Sequence, residues 1–294
     1  MFTKRTSNYT MSRLLFYFVA ILLIVAIVYP LWFVVIASFS DPASITSGEV
    51  WLWPKKIDLG GYKELFKQKQ IWLSYGNTII YTLVGSFIAL AVNIPAGYAM
   101  SRSDLAGKKL INIFYLIPMF VNGGLIPTYF VVKGFGLLNS FWVMVLPFSV
   151  STYNIIVART FFKSSLPESL WDAAQIDGCG TIRYFFQFAL PLSKAVLAVI
   201  GLWTAVGLWN SWFNALIYLN NEKLQPLQLL LRRILISNQS LLGAATGSMA
   251  QELRRLSDMM KYAAIVVSTL PIMCLYPFLQ KYFNKGVMIG AVKE

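Results

Sequence analysis

The sequence contains no histidine, and cysteine occurs only at Cys179 and Cys274. Zinc and haem sites draw on imidazole and clustered thiolates, so a recognisable centre of either kind is excluded, as is a disulfide framework. Charge is scarce too, at 13% of residues against 57% hydrophobic, a balance that belongs to a chain dissolved in lipid. Enzymatic chemistry is hard to build from these parts, because general acids and bases are few. A nucleotide site is missing as well: Gly107-Lys108 lacks both the earlier glycine and the following hydroxyl residue of a phosphate-binding loop. The net charge of +13 is scattered over the loops without a stripe interleaved with aromatics, so nucleic acid is set aside as a partner.

What the sequence has in abundance is uncharged length. Six runs supply or approach the roughly 20 apolar residues that a bilayer span requires: Leu14 to Phe39, Ile71 to Met100, Leu110 to Val132, Ser140 to Ala158, Ala195 to Leu219 and Tyr262 to Leu279. They predict an all-α membrane protein with six transmembrane helices. The domain plan is a tail over 1–13, a membrane domain over 14–279 and a second tail over 280–294. The first run is too long for a signal-peptide core and ends at Ser40-Asp41-Pro42 without a small-residue cleavage pattern, so it reads as an anchor. Basic residues divide almost evenly between the two sides, but the short loops do not: Arg102, Lys108 and Lys109 face the lone Lys133. The positive-inside rule then puts the N-terminus in the cytoplasm of a multi-pass cell-membrane protein. Loops 40–70 and 220–261 fall outside, and loop 163–193 falls inside. Trp51, Trp53, Trp72, Trp142 and Tyr282 sit at span ends and suit the headgroup belt.

No Asp, Glu, Lys, Arg or His lies inside any of the six runs, whereas proton-coupled carriers bury such relays at membrane depth. If this chain moves something uphill, the energy must enter from a partner. Uncharged polar groups do occur in the spans. The third run carries Pro118, Asn122, Gly123, Gly124 and Pro127, which interrupt its backbone, and an interruption is tolerated only against protein or water. It reads either as a pathway-lining broken helix or as a packed kink. Asn77, Thr78, Asn93, Asn210 and Asn214 suit either hydroxyl-rich solute or interhelical hydrogen bonds. Trp203 to Asn214, including Trp209, recurs in aromatics and amides at helical spacing, which fits stacking on sugar faces or plain bundle packing. Leu224 to Leu242, leucine-rich with Arg232-Arg233, predicts an amphipathic external helix that meets a partner or covers the bundle mouth.

One inner loop breaks the apolar pattern. Ser165-Leu166-Pro167-Glu168 has the spacing of a capping box, and Leu166 to Ile176 follows as a short amphipathic helix that cannot cross a bilayer. Gly178 and Gly180 end it. Thr181 then caps a second short helix carrying Tyr184, Phe185, Phe186 and Phe188, before Leu190-Pro191 redirects the chain. The pair Ala173-Ala174 predicts a low-relief patch edged by Glu168, Asp172 and Asp177. Those carboxylates argue against contact with anionic lipid alone.

Asp172-Ala173-Ala174, Asp177-Gly178 and Leu190-Pro191 resemble the E-A-A-x-x-x-G…L-P loop of ABC-importer permeases, with aspartate where glutamate is usual. Asn77-Thr78, Gly123-Gly124-Leu125-Ile126-Pro127 and the ending Gln280 to Lys293 are similar to the sugar-importer permeases related to the maltose system, within a subgroup handling oligosaccharides and polysaccharide fragments. The resemblance implies a coupling helix, between the fourth and fifth spans, that docks into an ATPase cleft. It also implies a second permease, two ATP-binding subunits that hold ATP and Mg, and an extracytoplasmic solute-binding protein; this chain binds no cofactor itself. On that reading Glu168, Asp172, Ala173, Ala174, Asp177, Gly178, Leu190 and Pro191 dock the ATPase, and Asn77, Asn122, Gly123, Gly124, Trp209, Asn210 and Asn214 line the oligosaccharide pathway. Gly286, Gly290 and Ala291 extend the tail toward the ATPase pair. A self-sufficient channel or sodium-coupled carrier is the alternative.

Overall fold

The computed structural model describes residues 4–244 and 255–274; the 280–294 tail, with Gly286, Gly290 and Ala291, lies outside them. In chain order the helices are α1 (Lys4–Ser38), α2 (Pro42–Thr46), α3 (Gly60–Lys67), α4 (Lys69–Ser101), α5 (Lys108–Phe120), α6 (Leu125–Gly134) and α7 (Thr152–Ser165). They continue as α8 (Glu168–Ile176), α9 (Thr181–Tyr184), α10 (Leu190–Leu192), α11 (Lys194–Trp209), α12 (Trp212–Tyr218) and α13 (Leu227–Ala244), with α14 at Arg255–Cys274. A π-helical turn, Phe185–Ala189, joins α9 to α10. Among the described residues there is no strand, only an isolated antiparallel bridge between Ser40 and Ile57.

The protein is an all-α membrane protein. Among the described residues, three helices are each long and apolar enough to cross a bilayer: Ser12–Ser38 of α1, α4 and α14. Two bent pairs pass the same test as broken spans, α5 with α6 at 118° and Thr181–Leu192 with α11 at 80°. The expected break in the third run is therefore present, but two other runs predicted as single helices are not continuous.

In the fourth run a 3₁₀ turn, Phe141–Met144, is followed by irregular chain, and α7 starts only at Thr152. Pro147 supplies the reason, since it donates no amide and disfavours helix in the residue before it. The freed backbone is satisfied by a side chain. Asn93 of α4 donates to the Ser149 carbonyl at 2.7 Å and accepts from the Ser151 amide at 2.9 Å. In the fifth run the helix stops at Trp209 and restarts at Trp212. There the Asn210 amide captures the Val206 carbonyl (2.9 Å) and Ser211 Oγ the Leu208 carbonyl (2.6 Å), the competition that short polar side chains offer to a helix.

The described chain divides into two compact units, one drawn from 4–69, 233–244 and 255–270, the other from 70–232 and 271–274. In the first, α14 packs on the segment after α1. Phe33 meets Tyr262 edge-on at 6.3 Å, and Arg255 faces Asp58 at 3.1 Å and Asp41 at 3.6 Å. A Cβ on Gly61 would lie 2.4 Å from the Met259 carbonyl oxygen, so only glycine allows this approach.

The second unit has two hydrophobic clusters strung along α4. One gathers Tyr81, Val132, Val143, Met144, Ala215, Tyr218 and Leu229. The other gathers Ile94, Tyr98, Ala158, Phe162, Ala174, Tyr184, Phe185, Ala189 and Ile200. About 20 Å of helix separates Tyr81 from Ile94. The second cluster carries the loop that the sequence singles out.

Candidate functional site

Helix α8 begins at Glu168, not at a serine cap. Pro167 is its N-cap residue, with extended backbone and no capping side chain. Ser165 instead ends α7, and its hydroxyl is buried without a hydrogen-bond partner. The capping box is thus corrected, because Pro167 moves the helix start beyond the reach of Ser165. The helix end follows expectation. Gly178 takes φ +73°, the Gly178 amide donates to Gln175 O and the Cys179 amide to Ala174 O, each at 2.9 Å. This is a Schellman closure, in which a left-handed glycine satisfies two carbonyls at the helix end. Gly180, not Thr181, occupies the N-cap of α9, and Thr181 makes no capping bond.

The two alanines part company. Ala174 is buried in the cluster with Tyr184 and Phe162, whereas Ala173 is exposed. A helix cannot turn adjacent residues onto one face, so the expected paired-alanine patch is corrected to a single alanine edge. Around Ala173 the exposed surface carries Glu168, Asp172, Gln175, Ile176, Asp177 and Gly178.

Aromatic rings fasten the inward side of the loop. Tyr184 stands edge-on to Trp171 (5.0 Å) and stacks on Phe188 (5.4 Å), while Tyr98 of α4 meets Phe162 (5.4 Å) and Phe185 (5.0 Å). Each such pair contributes about 0.5–1.5 kcal/mol beyond area burial. Beneath them α4 and α7 approach closely: a Cβ on Gly97 would stand 2.4 Å from Ala158 Cβ and 3.0 Å from the Ile155 carbonyl oxygen. Pro191 is exposed and Leu190 half-buried in α10, and the 80° bend into α11 falls at Ser193, whose hydroxyl donates to Ala189 O at 2.6 Å.

Sequence reasoning missed the second fastening. Arg102, just past α4, lays its guanidinium 3.9 Å over the Trp171 ring and forks onto Asp104 at 3.0 and 2.8 Å. That hydrogen bond from Arg102 holds the Asp104 carboxyl below the usual carboxylate range. A pocket of about 310 Å³ opens there, lined by Arg102, Asp104, Lys163, Glu168, Asp172 and Gln175 among others. A short Arg-x-Asp turn in a basic loop reads as a topology signal; no local pattern links it to a tryptophan 69 residues on.

The seven pathway residues are not gathered into one site. Asn77 gives both amide hydrogens to backbone, at Lys223 O (2.7 Å) and Gln225 O (3.2 Å). Thr78 Oγ1 accepts from the Leu227 amide at 2.8 Å and the Tyr81 hydroxyl donates to Leu224 O at 2.8 Å, so this face of α4 pins the 223–227 segment. Trp209 is buried edge-on to Tyr75 at 5.9 Å. Asn122 Oδ1 accepts the Gly124 amide at 2.9 Å and Gly124 takes φ +83° at the N-cap of α6; the whole break from Val121 to Gly124 is exposed. Asn210 caps α11 and accepts from Gln228 at 3.5 Å. Asn214 opens onto a cavity of about 490 Å³ that it shares with Ser151, Tyr153, Asn154, Trp203, Thr204 and Ser211. The hydroxyl and amide residues of the fourth run were the available signal for that cavity.

Comparison with known proteins adds three findings. Residues 82–289 match the family model described as "Binding-protein-dependent transport system inner membrane component". Among curated proteins, the chain is 38% identical to Protein LplC of Bacillus subtilis (strain 168) over 264 residues, 90% of this chain and 88% of that one. It is 36% identical to the polygalacturonan/rhamnogalacturonan transport system permease protein YtcP of the same organism over 270 residues, 90% of this chain and 92% of that one. Among solved structures, a chain from a bacterial ABC transporter involved in the import of the acidic polysaccharide alginate superposes with a TM-score of 0.81 at 29% identity, covering 96% of this chain and 98% of that one.

Proposed function

The chain belongs to the family of binding-protein-dependent transport system inner membrane components, and we propose that it is the permease subunit of an ATP-driven importer of oligosaccharides. One observation carries the reading: within the matched region, α8 buries Ala174 in one hydrophobic cluster with residues of α4, α7 and α11, while its outer side is left bare. A push on a helix seated this way reaches those three helices through the shared cluster. Glu168, Asp172, Ala173, Asp177 and Gly178 form the ATPase-facing edge, Ala174 seats it, and Leu190-Pro191 ends the lever where α10 bends into α11. The N-terminus and this loop are cytoplasmic. Partners are a second permease, two ATP-binding subunits that carry ATP, Mg and the hydrolysis, and an extracytoplasmic solute-binding protein.

For the solute, the cavity lined by Tyr153, Asn154, Trp203, Thr204 and Asn214 combines ring faces with amides and hydroxyls, the groups that sugar faces and sugar hydroxyls engage. Tyr153 and Trp203 lie 5.5 Å apart within it. The exposed break at Asn122-Gly123-Gly124 supports a position against the second permease or the water-filled path, since lipid cannot satisfy such backbone. Asn77 and Trp209 act one layer back, holding the 223–227 segment and the end of α11. Oligosaccharide is supported by what the relatives are named for: polygalacturonan and rhamnogalacturonan in one, alginate in another.

Reconstitution with the partner subunits tests the reading. ATP-dependent oligosaccharide uptake is expected, and is expected to vanish in Ala173→Glu with Gly178→Pro while the complex still forms. Uptake that persists in that variant, or uptake by the isolated chain down a gradient or with sodium, would overturn it.

A further inference from the structure

The stretch Trp51-Leu52-Trp53-Pro54-Lys55-Lys56-Ile57, between α2 and α3, turns its large apolar side chains outward, while the preceding Val50 is buried. Trp51, Leu52, Trp53 and Ile57 are 69, 60, 72 and 74% exposed. Four such side chains side by side are an interaction surface. The backbone beneath them is held in place. The Asp41 amide donates to the carbonyls of Lys55 and Lys56 (3.2 Å each), the Lys55 amide to Ser40 Oγ (3.2 Å), the Asp58 amide to Phe39 O (3.0 Å) and Trp51 Nε1 to Gly48 O (2.7 Å). Presentation of these rings is built into the loop.

The level of the loop follows from α1. From Leu14 to Trp32 this helix exposes nearly every side chain, whereas Ile36, Ala37 and Ser38 are buried. At about 1.5 Å per residue the exposed stretch is about 28 Å long, close to the ~30 Å of a hydrocarbon core. Trp32 therefore marks the lipid–headgroup boundary. Its Nε1 donates to the Leu52 carbonyl at 3.0 Å and its ring meets Trp53 edge-on at 6.4 Å. The loop thus continues the lipid-facing flank of α1 into the interfacial layer.

Charge completes the surface. The flanking carboxylates, Asp41 and Asp58, face Arg255, while Lys55 and Lys56 are exposed and form no ion pair among the described residues. Glu49 is the one carboxylate within 48–57. We propose that this loop is an interfacial anchor for anionic phospholipid, with Trp51 and Trp53 at the headgroup boundary, Leu52 and Ile57 against acyl chains, and Lys55 and Lys56 on lipid phosphates. The inference rests on α1 and stands apart from the transport reading.

The experiment uses the full chain, with its partner subunits, in phosphatidylcholine nanodiscs with or without phosphatidylglycerol. A spin label at Leu52→Cys, in a Cys274→Ser background that keeps the buried Cys179, is expected to collide with oxygen more than with a water-soluble nickel chelate. Native mass spectrometry is expected to show retained phosphatidylglycerol falling by about fivefold per lysine removed in Lys55→Gln and Lys56→Gln, with phosphatidylcholine unchanged. A label that favours nickel, retention unaltered by both substitutions, or a label shielded only when the solute-binding protein is added would overturn the proposal; the last would make the loop a protein-docking surface.

Discussion

The side chain of Asn93 closes both ends of the gap between the Phe141–Met144 turn and α7, donating to the Ser149 carbonyl and accepting from the Ser151 amide. It also donates to Ala89 O in its own helix at 2.6 Å and is fully buried. One side-chain amide thereby replaces helical partners that the proline-interrupted run lacks. Asn93→Ala leaves the buried Ser149 carbonyl and the half-buried Ser151 amide without this partner, at a cost of about 1–3 kcal/mol for the buried group and less for the other. Thermal unfolding of the purified complex is expected to drop by several degrees, and Asn93→Asp, which cannot donate to Ser149, is expected to lose nearly as much. An unchanged transition in Asn93→Ala would contradict this role.

Gly97 is the second point of leverage. Gly97→Ala puts a methyl into Ala158 Cβ and near backbone atoms of Ile155 and Arg159, forcing α4 and α7 apart beneath α8 and α9. Overpacking of this kind costs about 1–3 kcal/mol. The double variant Gly97→Ala with Ala158→Gly is expected to recover part of the loss, giving a coupling energy of at least about 0.5 kcal/mol. Strict additivity in unfolding measurements would show that the two positions do not touch.

At Gly178 the constraint is backbone conformation, since a methyl group added there would meet open space. The left-handed geometry costs an ordinary residue about 1–2 kcal/mol, and asparagine less. Gly178→Asn is expected to keep most uptake, Gly178→Val to lose most of it, and Gly178→Pro to lose more by removing the amide that donates to Gln175. Measuring the ratio of sugar transported to ATP hydrolysed separates lost coupling from lost assembly. Equal ratios in all three variants would remove the turn from the coupling path.

Arg102 joins an aromatic stack to a carboxylate. Arg102→Lys keeps the charge but loses the planar fork and the face-on contact with Trp171. Its stability is expected to fall by about 0.5–1 kcal/mol, and Trp171→Leu on top of it is expected to add less than it does alone. The folded pKa of Asp104 is lowered by Arg102, so its contribution is fully present above the unfolded carboxylate pKa and fades as pH falls through the folded value. Asp104→Asn is therefore expected to change the wild-type difference near neutral pH and to erase it in strong acid. A difference that grew with falling pH would contradict the assignment.

The helical class, the lipid-embedded character and the short acidic helix after Pro167 were all legible in the sequence, because each follows from nearest-neighbour chemistry. Charge-free length demands a membrane, and a glycine after Asp177 demands a left-handed helix end. Pro147 was equally visible, yet counting apolar residues across Ser140 to Ala158 passed over it. The candidate pathway was only partly legible: the spacing of Asn77, Trp209 and Asn214 is the same whether a side chain meets solute, backbone or another ring.

Sequence alone, then, determined the solvent of this chain and the existence of a short, carboxylate-edged helix, expected over Leu166 to Ile176 and found at Glu168–Ile176. Tertiary structure decided the rest: that Ala174 is covered while Ala173 is bare, that Asn93 repairs a distant gap, and that Arg102 reaches Trp171. The reason is range. Backbone conformation and hydropathy act over a few residues, whereas burial and hydrogen-bond satisfaction depend on which parts of the chain fold back within a few ångströms of each other.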